Sequence, residues 1–221
     1  MTHATSCALA PAIILSGDLR RDEDNHVHTP TLRYCAVLTL GVVCILLAAC
    51  ALQPQVLPIT PQLDVSQAPH RGDGRSIALD TIDGRPNNVV GYRDPNDTQS
   101  TITTAPETMR VIKREVEGAY TELGFRVVPQ GEQADITLEL RLTELGYTRQ
   151  SNNVVNNNVH TGATIEATSV MHGKTVTGTY RDSQGKQSVL KPNLADNAAL
   201  MNKHLAAALS RMVADPRLTT E

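Results

Sequence analysis

The chain has 221 residues, 20 of them basic and 23 acidic, for a formal net charge of −3. That balance excludes the basic footprint of a nucleic-acid-binding protein, and the length fits one domain with appended segments. One phenylalanine, five tyrosines and no tryptophan leave little material for the aromatic platforms on which glycans and single-stranded nucleic acids stack.

Residues 1–31 carry an acidic cluster, Asp22-Glu23-Asp24, and precede a single arginine, Arg33. From Tyr34 to Ala49 there is neither charge nor proline, and the run closes on Leu47-Ala48-Ala49-Cys50. A positive residue, an apolar stretch and small residues are the parts of a secretory signal. The closing four residues resemble the lipobox of bacterial lipoproteins. That resemblance implies cleavage ahead of Cys50 and lipid attachment, as palmitate, at Cys50 itself. Residues 1–49 are thus expected to be a signal peptide, with an N-terminal extension that a true start near Val27 or Leu32 would remove. An uncleaved anchor helix over Tyr34–Leu52 is the alternative, and it is only just long enough to span a bilayer.

Cys7, Cys35 and Cys44 lie ahead of the cleavage point, so Cys50 is the one cysteine of the 172-residue mature chain. No disulfide framework and no cysteine zinc site can then form. Residues 50–75 contain Pro54, Pro58, Pro61 and Pro69 and read as a lipidated cysteine followed by an extended tether. The tripeptide Arg71-Gly72-Asp73 and the sequon at Asn96 are too short to carry a functional assignment.

Residues 76–221 have the composition of a folded domain. Ser76–Ile82 predicts a strand with a register irregularity, ended by the turn residues Asp83-Gly84-Arg85-Pro86, and Asn88–Tyr92 a second, short strand. A helix is predicted over Ala105–Leu123, where Met109, Ile112, Val116, Ala119, Tyr120 and Leu123 form one stripe. Thr104 with Glu107 has capping-box spacing, and Gly124 suits the left-handed position beyond the last turn. Phe125–Pro129 is a short strand. Strict alternation from Ile136 to Thr143 predicts an antiparallel strand with one buried face, and Leu145-Gly146-Tyr147 breaks the period as a bulge would. The asparagine-rich stretch Ser151–Asn158 reads as a loop. Thr161–Met171 and Thr175–Arg181 are strands joined by a His172-Gly173 hairpin turn, and Asp182–Lys186 is a further turn. The last helix spans Leu194–Ala214, capped by Asn193 with Asp196 three residues on.

This order predicts an α+β fold: a two-layer sandwich whose mostly antiparallel sheet is covered on one face by two helices. Several segments also resemble the YajG-like family of uncharacterised bacterial lipoproteins. They are Gly91-Tyr92-Arg93, the helix end Thr121–Phe125, Ala134–Leu138 and Thr179-Tyr180-Arg181. The resemblance covers most of the mature chain. It implies an envelope lipoprotein without a defined role and supplies no catalytic residues.

No nucleophile elbow, zinc-protease helix, phosphate loop or dinucleotide fingerprint is present. His70, His160, His172 and His204 are scattered, with His204 expected to face away from its helix's apolar stripe. The pairs Glu115/Glu117 and Glu139/Glu144 fall on wet faces, and Asp80 and Asp83 belong to a strand end. A sugar platform could be built only from Tyr147 and Tyr180. The sequence thus predicts no enzyme, no catalytic residues, no cofactor and no metal. It predicts a membrane-anchored accessory or binding protein with an envelope protein as partner, and leaves the oligomeric state open. Ala51, in place of the aspartate that retains lipoproteins at the inner membrane, points to the periplasmic face of the outer membrane. The alternatives are a cell-wall-active enzyme and a carrier of a lipid or other apolar ligand.

Overall fold

The structure is a computed structural model that describes residues 53–151, 157–188 and 192–220. The predicted signal peptide, Cys50 and the centre of the asparagine-rich loop lie outside the described residues. In chain order the elements are β1 (Gln55–Leu57), β2 (Ser76–Asp83), β3 (Val89–Tyr92), β4 (Thr101–Thr104), α1 (Thr108–Glu122) and β5 (Arg126–Val128). These are followed by β6 (Ile136–Ser151), β7 (Asn157–Met171), β8 (Lys174–Ser188), α2 (Leu194–Ala214) and a short 3-10 turn over Pro216–Leu218.

The expectation of a mostly antiparallel sheet is overturned. Of the seven pairings among the described strands, four are parallel: β1 with β4, β2 with β5, β2 with β6, and β3 with β6. Only β3–β4, β6–β7 and β7–β8 are antiparallel. The reason is the crossover. β2 leads through β3, β4 and α1 before the chain returns alongside it, and a strand returning after a helical connection lies parallel. The irregularity expected in β2 is also absent, since Ile77–Asp83 pair with Ile136–Leu142 in unbroken register.

β6 organises the sheet. Its first half pairs with β2 on one side, its second half with β3, and β7 runs along its other edge for the whole length. The register shifts between Leu142 and Glu144, two residues before the expected bulge. One extra residue reverses the alternation. The inward set accordingly passes from Ile136, Leu138, Leu140 and Leu142 to Leu145 and Tyr147, all of them buried.

α1 packs on β2 and β5, and α2 on β7, β8, β6 and β1. Ile112, Val116, Met201, Leu205, Leu209 and Met212 are fully buried and join the sheet's inward residues in one core. The bounds and N-cap of α2 match its sequence reading. Asn193 accepts from the Asp196 amide at 2.9 Å, and Asp196 accepts in return, so the capping box is complete. The box proposed for α1 does not form, because Thr104 is the last residue of β4 and is buried there; α1 starts at Thr108 behind Glu107, without a side-chain cap. Its other end behaves as expected. Gly124 adopts φ +87°, Gly124 N–H donates to Thr121 O at 3.0 Å, and Phe125 N–H donates to Tyr120 O at 3.1 Å. This closes the helix and sets the Phe125 ring edge-on against Tyr120, with centroids 5.6 Å apart.

Candidate functional site

The proline-rich segment does not stand off the domain. Leu57, Ile59 and Val65 are buried in the core, and Gln55–Leu57 pair with Ile102–Thr104. Proline lacks the N–H of a ladder, but Pro58 and Pro61 fall just outside β1 and interrupt no bond of it. The segment runs along α2, held by polar side chains. Asn197 Nδ2 donates to Gln55 Oε1 at 2.9 Å, Asn202 Nδ2 to Pro58 O at 3.0 Å, and Thr60 N–H to Asn202 Oδ1 at 2.7 Å. Further on, Asp64 N–H donates to Ser210 Oγ at 3.0 Å. The first described residue, Gln53, is itself fixed: its carbonyl accepts from Arg93 Nη1 at 3.1 Å.

The strap ends in a buried cationic clamp. Arg71 donates to Thr219 Oγ1 at 2.9 Å and to Val213 O, while Arg75 donates to Thr219 O at 2.7 Å. Arg75 also lies over the Phe125 ring. The Arg71-Gly72-Asp73 tripeptide therefore has a structural task, fastening the C-terminal tail. Beside it Tyr180 donates to Asp215 Oδ2 at 2.6 Å, and Arg217 pairs with the same carboxylate at 2.7 Å. The Arg217 and Tyr180 hydrogen bonds outweigh partial burial and hold Asp215 down at about 2. Burial, then the neighbouring Asp215, raises the Tyr180 hydroxyl, and burial raises Tyr120.

The chemical candidates read from the sequence are not brought together. Glu115 pairs with Arg114, Glu117 with Lys113, Glu139 with Arg141 and Asp83 with Arg85. Tyr147 and Tyr180 are buried and offer no platform for a sugar. His70 and His160 are exposed, and His172 occupies the hairpin turn with φ +47°. His204 departs from expectation. It is 1% exposed, and its Nδ1 lies 2.6 Å from Asp182 Oδ2, whose other oxygen accepts from Arg211 at 2.6 Å. Burial opposes ionisation of Asp182, but the His204 and Arg211 hydrogen bonds prevail and lower it. The turn expected at Asp182–Lys186 is instead the second half of β8, and that continuation is what carries Asp182 to α2.

One concavity lies on the face of the long strands that, among the described residues, is turned away from α2. It encloses about 310 Å³ and is lined by Glu144, Gly146, Thr148, His160, Gly162, Ser183 and Gly185, among others. Gly146 pairs with Gly162, which leaves backbone at that part of the floor, while His160 pairs with Gly185 and its ring lies over it. A Cβ on Gly162 would come within 2.9 Å of Ser183 Cβ, and one on Gly185 within 2.7 Å of the His160 ring. A polar strip borders it: Thr164 donates to Glu144 at 3.0 Å and accepts from Arg181 at 3.1 Å. The sequence hid this saddle, because its glycines are far apart in the chain and meet only through the β6–β7–β8 register.

A family model described as an uncharacterized lipoprotein matches residues 61–221. The chain belongs to this YajG family of lipoproteins. No curated protein matches it in sequence. Among solved structures it is similar to protein XCC0632 from Xanthomonas campestris, at 14% identity, with 74% of this chain and 93% of that one covered and a TM-score of 0.49. Lipoprotein GNA1162 from Neisseria meningitidis is 15% identical, with 50% and 83% covered and a TM-score of 0.35. A PelC dodecamer from Paraburkholderia phytofirmans is 13% identical, with 71% and 94% covered and a TM-score of 0.34. Membership in the YajG family thus rests on the family match.

Proposed function

We propose that this YajG-family chain is a non-enzymatic accessory protein of the cell envelope. Acyl chains on Cys50 anchor it, and its domain faces the periplasm from the inner leaflet of the outer membrane. The observation that carries the reading is Leu47-Ala48-Ala49-Cys50 at the close of an uncharged apolar run, in a chain of a lipoprotein family. Two or more acyl chains make such an anchor stable, where a single chain gives only marginal binding. Ala51 in place of aspartate supports the outer-membrane location.

The accessory reading draws support from how the polar groups are used. Of the carboxylates weighed as acid–base pairs, Glu115, Glu117, Glu139 and Asp83 are engaged in ion pairs with nearby arginines or a lysine, Asp80 accepts from the Thr81 amide, and Glu144 accepts from the Thr164 hydroxyl. The space between sheet and helices, where an apolar cargo would sit, is occupied by Met201, Leu205, Leu209 and Met212. The saddle around Gly146, Gly162 and Gly185 is the surface we assign to a protein partner. The deciding experiment is palmitate labelling of cells that produce the wild-type chain or Cys50→Ala. The reading expects label on the wild type and none on the variant; equal labelling of the two would end it.

A further inference from the structure

The strap places the anchor against one particular end of the domain. Only Ala51 and Leu52 separate Cys50 from Gln53, so three fully extended residues span at most about 10 Å. Gln53 is tied to Arg93, and β1 begins two residues later. Headgroups occupy roughly 5–7 Å on each side of the hydrocarbon core. An acylated Cys50 therefore holds the surface around Gln53 within about 10 Å of the anchor, close enough to rest against the headgroup layer.

That surface is unusually apolar. Among the described residues, four large hydrophobic side chains stand well exposed: Val56 at 56%, Leu194 at 42%, Val170 at 41% and Tyr92 at 40%. Three of them belong to elements at the tether end: Val56 on β1 and Tyr92 on β3, and Leu194 at the start of α2 on the other face of the sheet. Val56 pairs across the sheet with Thr103, and Tyr92 with Thr101, two residues apart on β4. Side chains alternate along a strand, and Ile102 between them points into the core with no exposure. Val56 and Tyr92 thus share the outer face. Leu194 opens α2, one turn ahead of Asn197, whose side chain bonds Gln55. Val170 stands at the opposite end, beside the His172-Gly173 hairpin. The acidic residues of the turn after β3 are folded into that turn, Asp94 accepting from the Asn96 amide and Asp97 from the Gln99 amide. Arg93 adds a cation at the tether itself.

We infer that Val56, Tyr92 and Leu194 form a membrane-docking patch that rests in the headgroup–acyl boundary of the leaflet holding Cys50. The inference rests on the acylation of Cys50 proposed above. Aromatic and aliphatic side chains of this kind partition into the interface, and the anchor's high local concentration makes a small patch sufficient. The domain is thereby oriented, with α2 rising from the membrane and the His172 hairpin pointing away from it.

The native chain has no tryptophan, so a single one reports its own surroundings. The full acylated chain, as Tyr92→Trp, Leu194→Trp or Val170→Trp, is reconstituted in phosphatidylethanolamine–phosphatidylglycerol vesicles containing lipids brominated near the headgroup. Flotation with the vesicles reads the anchor, and fluorescence reads docking. The expected result is at least about twofold quenching at positions 92 and 194 and none at 170. A chain that floats but is quenched equally at all three positions would overturn the docking while leaving the anchor intact. So would a blue-shifted Trp at 92 that bromolipid leaves unquenched, which identifies protein cover instead. A chain that fails to float removes anchor and docking together.

Discussion

The two ends of the domain are built on opposite principles. At the end away from the tether, polar groups are drawn inward: Arg71 is 9% exposed and Thr219 fully buried, and the tail is bonded to residues 142–148 positions away. At the tether end apolar groups are turned outward, with Val56, Tyr92 and Leu194 standing in solvent. Removing a buried hydrogen-bonding group leaves its partners unsatisfied at a cost, so the closed end is where single substitutions should be felt most. Exposed apolar side chains contribute little to folding, and at this end the docking proposed above is what would cover them. Stability is concentrated at one end and contact at the other.

The closed end should respond most strongly to change at Arg71. Arg71→Ala strands the Val213 carbonyl and frees the tail, and should lower unfolding free energy by about 3 kcal/mol in a urea titration. A loss below about 1 kcal/mol would mean the clamp is ornamental. Acid tests the same end. Asp215 is held at about 2 in the fold against an ordinary 3.8, so its contribution is complete above the ordinary value and vanishes as pH falls towards the folded one. Partial exposure discounts this to about 1–2 kcal/mol, lost between roughly pH 4 and pH 2 and absent in Asp215→Asn, as thermal melts across that range would record.

At the tether end the effects on folding shrink. Asn193→Ala removes one half of the α2 capping box and should cost about 1 kcal/mol in the same titration. Thr104→Val probes the box that α1 lacks; any loss there reflects the Arg85 hydrogen bond at 3.1 Å rather than a frayed helix, so helicity by circular dichroism should not change. Smallest of all, Tyr92→Ser should alter stability by less than about 0.5 kcal/mol. A large destabilisation by Tyr92→Ser would show that the two ends share the work of folding.

Much of the fold was legible because its signals are local. Asn193 and Asp196, Gly124, the His172-Gly173 turn and the Ile136–Leu142 alternation each depend on neighbours a few residues away, and each appears where its pattern placed it. Thr104 and Glu107 carry the same spacing and fail, since pairing with Leu57 of β1 and the hydrogen bond of its amide to Asn88 O claim Thr104 before α1 can use it. The candidate site was far less legible. His204 was misread because its partner Asp182 lies on an element whose length was underestimated, and the saddle depends on cross-strand glycines.

The lipobox-like close at Cys50, the two amphipathic helices, the long alternating strand and the family resemblance could all be read from the order of residues, because caps, turns and periodicity are written within a turn or two of chain. Only the tertiary structure decided that the sheet is mixed, that a proline-rich segment becomes a strand and a strap, and which apolar side chains stay outside. Those outcomes rest on pairings such as Ile77 with Ile136 and Gln55 with Asn197, whose energies exist only once distant segments meet.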